Sequence, residues 1–348
     1  MRIVVATVQI PFVSGGAESH AAGLRAALIR AGHEAEIVTV PFNPAVPERI
    51  ADQMLACRLL DLTEIHGTPV DRLIALKFPA YLIPHPNKVV WVLHQHRAAY
   101  DLWDYPFEEL SASPGGVMVR DAIRRGDQLL AEAKAVFANS RNIANRLGHF
   151  CGINALPLYH PPPNAESFYC AKTTDDYFFF PSRLSASKRQ SLILEALTLT
   201  REKVKVRFAG LADSPEYGKR LRTLSKKLGL EERAEWLGFV TEEEKRDAYA
   251  RAAAVLFPPV DEDYGYITLE AMLSAKAVIT CEDSGGPLEF VSHRKTGLIA
   301  KPTAAALAEA LDELWRDRNA ASKYGRAGRE SYEQLGLSWE NVVERLLA

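Results

Sequence analysis

Two glutamates eight positions apart, Glu262 and Glu270, stand in the segment PPVDEDYGYITLEAM over residues 258–272. The segment reads as the end of a strand, an acidic turn, Gly265 and then a helix. Glu262 falls in the turn and Glu270 inside the helix. A loop carboxylate can accept hydrogen bonds from sugar hydroxyls, and a helix carboxylate can accept two from a ribose diol. Gly265 lets backbone approach a ligand closely, and the free amides at the helix start suit a phosphate. The spacing alone is weak, because Glu235 and Glu243 repeat it. The strand, Pro-Pro, glycine and helix context separates the first pair from a solvated acidic turn and a helix-face charge.

Cations come next. The segment PSRLSASK over 181–188 follows a Phe-rich strand and leads into a helix. Arg183 and Lys188 could both reach one site at that strand end. There they would neutralise a diphosphate and stabilise charge growing on a leaving phosphate. An exposed basic turn, with Arg189 as a third member, is the plain alternative. Gly15 and Gly16, ahead of a helix after the first strand, make an amide-rich concavity for an anion or an acceptor. The pattern is not G-x-G-x-x-G, which argues against a dinucleotide site, and no P-loop motif occurs. In WVLHQHR, over 91–97, a strand delivers His94, Gln95 and His96 at its carboxyl end. The two histidines point the same way if the strand continues. DSGGPLE, over 283–289, reads first as a structural turn.

These loops need elements to hold them. In the first half, strands are expected over 2–8, 36–40, 88–93 and 135–138, with helices over 17–31 and from Asn139-Ser140 to about Gly148. His160-Pro-Pro-Pro breaks the pattern, and residues 161–175 read as a linker. The alternation then restarts. Strands are expected over 177–180, 204–209, 234–237, 253–257 and 277–280, with helices over 188–199, 215–228, 242–251 and 268–274. Two or three further helices close the chain. Alternating strands and helices imply parallel sheets covered on both faces. Ligands bind such sheets at the carboxyl ends of the strands, where strand order reverses. Two units facing each other would make a cleft.

Composition agrees with two domains. The 348 residues exceed the roughly 100–200 of one domain, and 47% hydrophobic with 25% charged residues suits a globular chain. The net charge is −2, and acidic and basic residues balance in each half. Neither nucleic acid nor an anionic membrane is indicated as a partner. Peripheral membrane contact stays open, with no charge feature calling for it. The four cysteines are scattered without metal-ligand spacing, as in reduced cytoplasmic proteins. The first apolar run is broken at Gln9 and Pro11, so a strand reads better there than a signal peptide.

Taken in order, the pieces resemble the retaining glycosyltransferases of family 4, the group 1 glycosyltransferases. The resemblance runs nearly end to end through SGGAE (14–18), ANS (138–140), SRLSASKRQ (182–190), WLGFV (236–240), EDYGYITLEAM (262–272), DSGGPLE (283–289) and TGLI (296–299). It implies an α/β GT-B fold: two facing Rossmann-like, doubly wound domains with an interdomain cleft. The domains would be an acceptor-side unit over 1–163, a nucleotide-sugar-binding unit over 164–334, and a C-terminal helix over 335–348 packing back on the first. It implies transfer of a sugar from a nucleoside diphosphate sugar, as co-substrate, to a saccharide or lipid-linked hydroxyl acceptor. No further cofactor and no metal are implied, and the place would be the cytoplasm or the inner membrane face.

The resemblance also assigns roles by position. Glu262 would contact the transferred sugar and Glu270 the ribose, with Arg183 and Lys188 on the diphosphate. Tyr264, Gly265, Tyr266 and Ile267 would form the phosphate- and sugar-facing turn, and Val240 the base edge. Gly15 and Gly16 would close over donor and acceptor. His94 would stand near the reacting carbon, with His96 as fallback. Two departures are present: Ala275-Lys-Ala277 replaces a Gly-x-Pro, and Ala-Gly-Leu-Ala-Asp213 lacks a second glycine, so base preference is not inherited. The rival readings are a sugar-nucleotide epimerase on the same fold and a catalytically degenerate scaffold. An NAD-dependent dehydrogenase lacks its fingerprint, and a periplasmic binding protein would need a signal peptide.

Overall fold

A computed structural model describes residues 1–12, 15–44, 46–105 and 110–348. The chain divides into two compact units, Met1–Pro163 with Ser338–Ala348, and Asn164–Leu337.

The first unit runs β1 (Arg2–Gln9), α1 (Gly16–Arg30), β2 (Glu34–Pro41), α2 (Ile50–Leu59), a small hairpin β3 (Glu64–Ile65) and β4 (Thr68–Pro69), β5 (Arg72–Lys77), β6 (Lys88–His94), α3 (Gly116–Asp127), β7 (Ala135–Ala138), α4 (Arg141–Cys151) and β8 (Leu156–Pro157). Its parallel sheet has the order β2-β1-β5-β6-β7-β8. Strand order reverses between β1 and β5. The strand β5 was not expected from the sequence, although its interior is fully buried. Ser140 caps α4 by accepting the Ile143 amide at 3.1 Å, as its place before the helix implies.

The second unit runs β9 (Phe178–Pro181), α5 (Gln190–Leu199), β10 (Val206–Ala209), α6 (Pro215–Lys227), β11 (Ala234–Gly238), α7 (Glu242–Arg251), β12 (Ala254–Leu256), α8 (Tyr266–Leu273), β13 (Val278–Cys281), β14 (Gly297–Ala300), α9 (Ala304–Arg316) and α10 (Arg318–Gln334). Its parallel sheet has the order β11-β10-β9-β12-β13-β14, the doubly wound dinucleotide-fold order, with its reversal between β9 and β12. Along β9, Phe178 and Phe180 enter one buried cluster and Phe179 the other. Both faces of the sheet are therefore covered, which explains an unbroken aromatic run where a one-sided strand would alternate. The stretch expected as a linker is partly structured: a single 3-10 turn covers Ala165–Ser167, and Phe168 is buried in this unit.

The last helix, α11 (Trp339–Leu347), belongs to the first unit. Val342 and Leu346 join Ile3, Leu24 and Trp91 in one buried cluster, and Arg72 donates to the Leu346 carbonyl at 2.7 Å. Under Trp339 lie two buried histidines, His20 and His160, whose rings share a 2.9 Å hydrogen bond. Burial pushes His20 down to about 3; burial and then the neighbouring His20 hold His160 well below its ordinary range. Among the described residues, no helix is long and apolar enough to cross a membrane.

Candidate functional site

The loops that follow β9 and β12 flank the strand-order reversal of the second unit, the place where such sheets bind ligands. Lys188 sits in the first loop and Glu262 in the second. Lys188 is not in the helix expected from 188. It ends a 3-10 turn, Ala186–Lys188, and Arg189 then takes the left-handed conformation, φ +61°, so that α5 starts at Gln190. The Lys188 ammonium and the Glu262 carboxylate form an ion pair, with both side chains mostly buried. Lys188 also lies 5.6 Å from the centre of the Phe257 ring.

The two loops are stitched by backbone. The Val260 amide donates to the Ser187 carbonyl at 2.7 Å. Glu262 donates to Ser284 at 2.8 Å and accepts from Gly286 at 2.7 Å. The DSGGPLE turn therefore buttresses Glu262 directly. Gly286 permits this, because a Cβ there would lie 2.8 Å from the Tyr264 carbonyl oxygen. Gly265, at φ +83°, caps α8, and a Cβ on it would press the Phe257 ring at 3.0 Å and Pro287 at 3.1 Å. The helix begins at Tyr266, two residues earlier than the sequence periodicity indicates. Tyr264 is buried edge-on against Tyr266 and Phe290, with ring centres 5.5 and 5.7 Å apart. Ile267 packs into both buried clusters of this unit.

Glu270 is buried inside α8 rather than solvated. It accepts the Tyr249 hydroxyl at 2.7 Å and the Lys245 ammonium at 3.2 Å. Burial works against the charge on Lys245, but the Glu270 and Glu242 carboxylates outweigh it and hold the ammonium above its usual range. Burial, then the Glu270 charge, raises the Tyr249 phenol well above its ordinary value. Lys245 and Tyr249 escaped the sequence analysis. Their spacing of four on α7 puts them on one face of that helix, but only the packing of α7 beside α8 shows what that face meets. Arg183, largely exposed, donates to Asp213 at 2.7 Å in the loop after β10. Each of the two candidate phosphate-binding cations thus has its own carboxylate. Val240, half-buried, follows the end of β11.

The remaining candidates are in the first unit. Gly15 caps α1 and Gly16 is its first residue, while Val13 and Ser14 lie outside the described residues. Glu18 accepts the Gly15 amide at 2.7 Å, so one donor of that concavity is already taken by a carboxylate. His94 is the last residue of β6. The strand does not continue, so the condition under which His94 and His96 face one way is not met. His96 packs against the Phe78 and Phe42 rings at 5.4 and 6.4 Å, and burial, with His94 beside it, pushes it down to about 4. Gln95, fully buried, donates to Asp127 at 3.3 Å.

Residues 166–331 match the family described as glycosyl transferases group 1. This unit is a group 1 glycosyltransferase domain. Arg183, Lys188, Val240, Glu262, Gly265 and Glu270 all lie within the matched residues, whereas Gly15, Gly16 and His94 lie outside them. Among curated proteins, the chain is 29% identical to the alpha-1,3/1,6-mannosyltransferase ALG2 of Dictyostelium discoideum, over 39% of this chain and 34% of that protein. To its Homo sapiens counterpart it is 28% identical, over 47% and 42%. To the alpha-maltose-1-phosphate synthase of Mycolicibacterium smegmatis it is 37% identical, over 29% and 28%. The matched stretches thus span less than half the length of each of these relatives.

The fold extends beyond the group 1 domain. Sucrose-phosphate synthase from Thermosynechococcus elongatus superposes with a TM-score of 0.78 at 18% identity, covering 99% of this chain and 97% of that one. Anabaena HepE, solved in complex with UDP, gives 0.74 at 17%, covering 100% and 99%. The fold is GT-B, with two Rossmann-like units.

Proposed function

We propose that this chain is a retaining, metal-independent glycosyltransferase that moves a hexose from a nucleoside diphosphate sugar to a hydroxyl of a saccharide or lipid-linked acceptor. The observation that carries this reading is the Lys188–Glu262 pair, set at the strand-order reversal of a group 1 glycosyltransferase domain.

In this reading the pair holds both side chains in place until a donor arrives. Glu262 then turns to the sugar hydroxyls, and Lys188 with Arg183 to the diphosphate. Glu270, held by Tyr249 and Lys245, takes the ribose hydroxyls. The α8 amides after Gly265 face the phosphates. The acceptor oxygen bonds to the anomeric carbon on the face from which the diphosphate oxygen departs, and the acceptor proton passes to that departing oxygen. Negative charge grows on the leaving phosphate, so fixed cations beside it lower the barrier. Lys188 and Arg183 supply the charge a metal would otherwise bring. His94 and the Gly15-Gly16 turn belong to the acceptor side. The UDP complex of a structural neighbour supports a nucleoside diphosphate donor, and the mannosyltransferase relatives support a hexose. Four unpaired cysteines, three of them buried, support a cytoplasmic setting.

The test is a transfer assay in excess chelator with UDP-glucose or GDP-mannose and an alkyl glycoside acceptor. The product linkage is read by proton NMR. The reading requires acceptor-dependent release of the nucleoside diphosphate and retention of the donor's anomeric configuration. An altered nucleotide sugar formed without acceptor, an inverted product or a strict metal requirement would overturn it.

A further inference from the structure

We infer that Arg189 is a positioning residue for the donor site, holding Lys188 in register through its pair with Asp283; this rests on the function proposed above. Arg189 sits at φ +61°, where an L side chain is disfavoured and glycine is not. Glycine would carry the turn at lower backbone cost, and what arginine adds in its place is a set of contacts. Its guanidinium, 16% exposed, makes a two-pronged contact with Asp283, Nη1 to Oδ1 at 2.7 Å and Nη2 to Oδ2 at 2.5 Å. Nη1 also reaches the Pro259 carbonyl at 3.3 Å. One side chain therefore spans the loops after β9, β12 and β13.

Asp283 is a junction as well. Its carboxylate takes Arg189, while its carbonyl accepts the Asp261 amide at 2.8 Å, one residue before Glu262. The next residue, Ser284, donates its hydroxyl to Pro259 at 3.0 Å and accepts the Glu262 amide at 2.8 Å. The left-handed turn at Arg189 sends two adjacent cations to two different partners, Lys188 to Glu262 and Arg189 to Asp283. Both partners are themselves joined through the backbone at 261–262 and 283–284. Lysine at 189 would keep the charge but lose the planar fork that fits a carboxylate with two bonds.

The test uses Arg189→Gly, Arg189→Lys, Asp283→Asn and the double variant Arg189→Lys with Asp283→Asn. Three quantities are measured: the urea midpoint, hydrogen exchange of the 260–263 segment, and kcat and KM for the donor. Arg189→Gly is expected to keep or raise the urea midpoint while kcat falls by about tenfold or more, with a smaller change in KM. The amides of residues 260–263 are expected to exchange faster in every variant. The double variant should be no worse than the worse single one, because both remove the same contact. Unchanged exchange in Arg189→Lys, or wild-type kcat in Arg189→Gly, would overturn the inference. If the wild type transfers no sugar, the proposed function fails, and the exchange readout still decides whether Arg189 holds the loop.

Discussion

Lys188 and Glu262 are 74 positions apart in the chain and paired in space, one on each side of the point where the strand order of the second unit reverses. Neither is held by its own helix. The first ends a 3-10 turn, and the second is fixed by backbone bonds to Ser284 and Gly286. The backbone that carries both charges is thus fixed by contacts between loops.

Lys188→Ala and Glu262→Ala are each expected to lower kcat/KM by more than about tenfold, equivalent to about 1.4 kcal/mol of barrier. Steady-state kinetics with the accepted donor checks this. Wild-type rates in either variant would remove the pair from the site.

Gly265→Ala must either hold alanine at φ +83° or move the start of α8, and its Cβ would press Phe257 and Pro287. A stability loss of about 1–2 kcal/mol is expected, with a weakened nucleoside diphosphate. Urea unfolding and calorimetry on one protein sample read both effects. An unaltered nucleotide affinity would show that the start of α8 does not face the phosphates.

Tyr249→Phe takes one donor from the buried Glu270 carboxylate. Stability is expected to fall by about 1–3 kcal/mol, with nucleotide affinity falling less than in Glu270→Ala. The ordering of the two affinities is the check. A larger affinity loss in Tyr249→Phe would mean that the phenol, rather than the carboxylate, meets the ligand.

Stability is expected to fall as pH drops from about 6.5 toward 4. His20, His160 and His96 are held neutral by burial in the folded protein and take up protons at ordinary values once unfolded. The unfolded chain therefore binds more protons in that window. Each histidine contributes a loss on the order of 1.4 kcal/mol per pH unit. Asp127 opposes them: burial raises its carboxyl to about 6, so its contribution runs the other way between about 4 and 6. Three groups outweigh one. The Trp91 and Trp339 rings pack against the His20–His160 pair. Urea midpoints at pH 7.5 and 5 test the direction, and His20→Gln should flatten the slope. A pH-independent midpoint would show that the pair is not buried neutral.

How far the sequence reaches depends on the range of the interaction. The aromatic strand β9, the acid-capped helix α7 and the Ser140 cap are readable because each is decided by neighbours within a few residues. The strand β5 has a fully apolar interior over 73–76, but so short a run fits a buried strand and a buried helix segment alike, and its period alone does not mark it as a strand. The site divides the same way. Glu262, Gly265, Lys188 and Arg183 stand out by type and loop position. The Tyr249 and Lys245 partners of Glu270, and the Asp213 partner of Arg183, depend on how separate elements pack and leave no local signal. The helix expected from Lys188 begins two residues later, at Gln190. The left-handed Arg189, a conformation side-chain identity argues against, stops the helix short.

The most direct test of the donor site is calorimetric titration of the purified protein with UDP, GDP, ADP, dTDP and CDP in chelator, repeated with Lys188→Ala. One clear binder, weakened by the substitution, is the result this account requires, and it would also fix the base. Binding of none, or binding indifferent to Lys188, would contradict a donor site at the reversal between β9 and β12 and favour a degenerate scaffold over an enzyme.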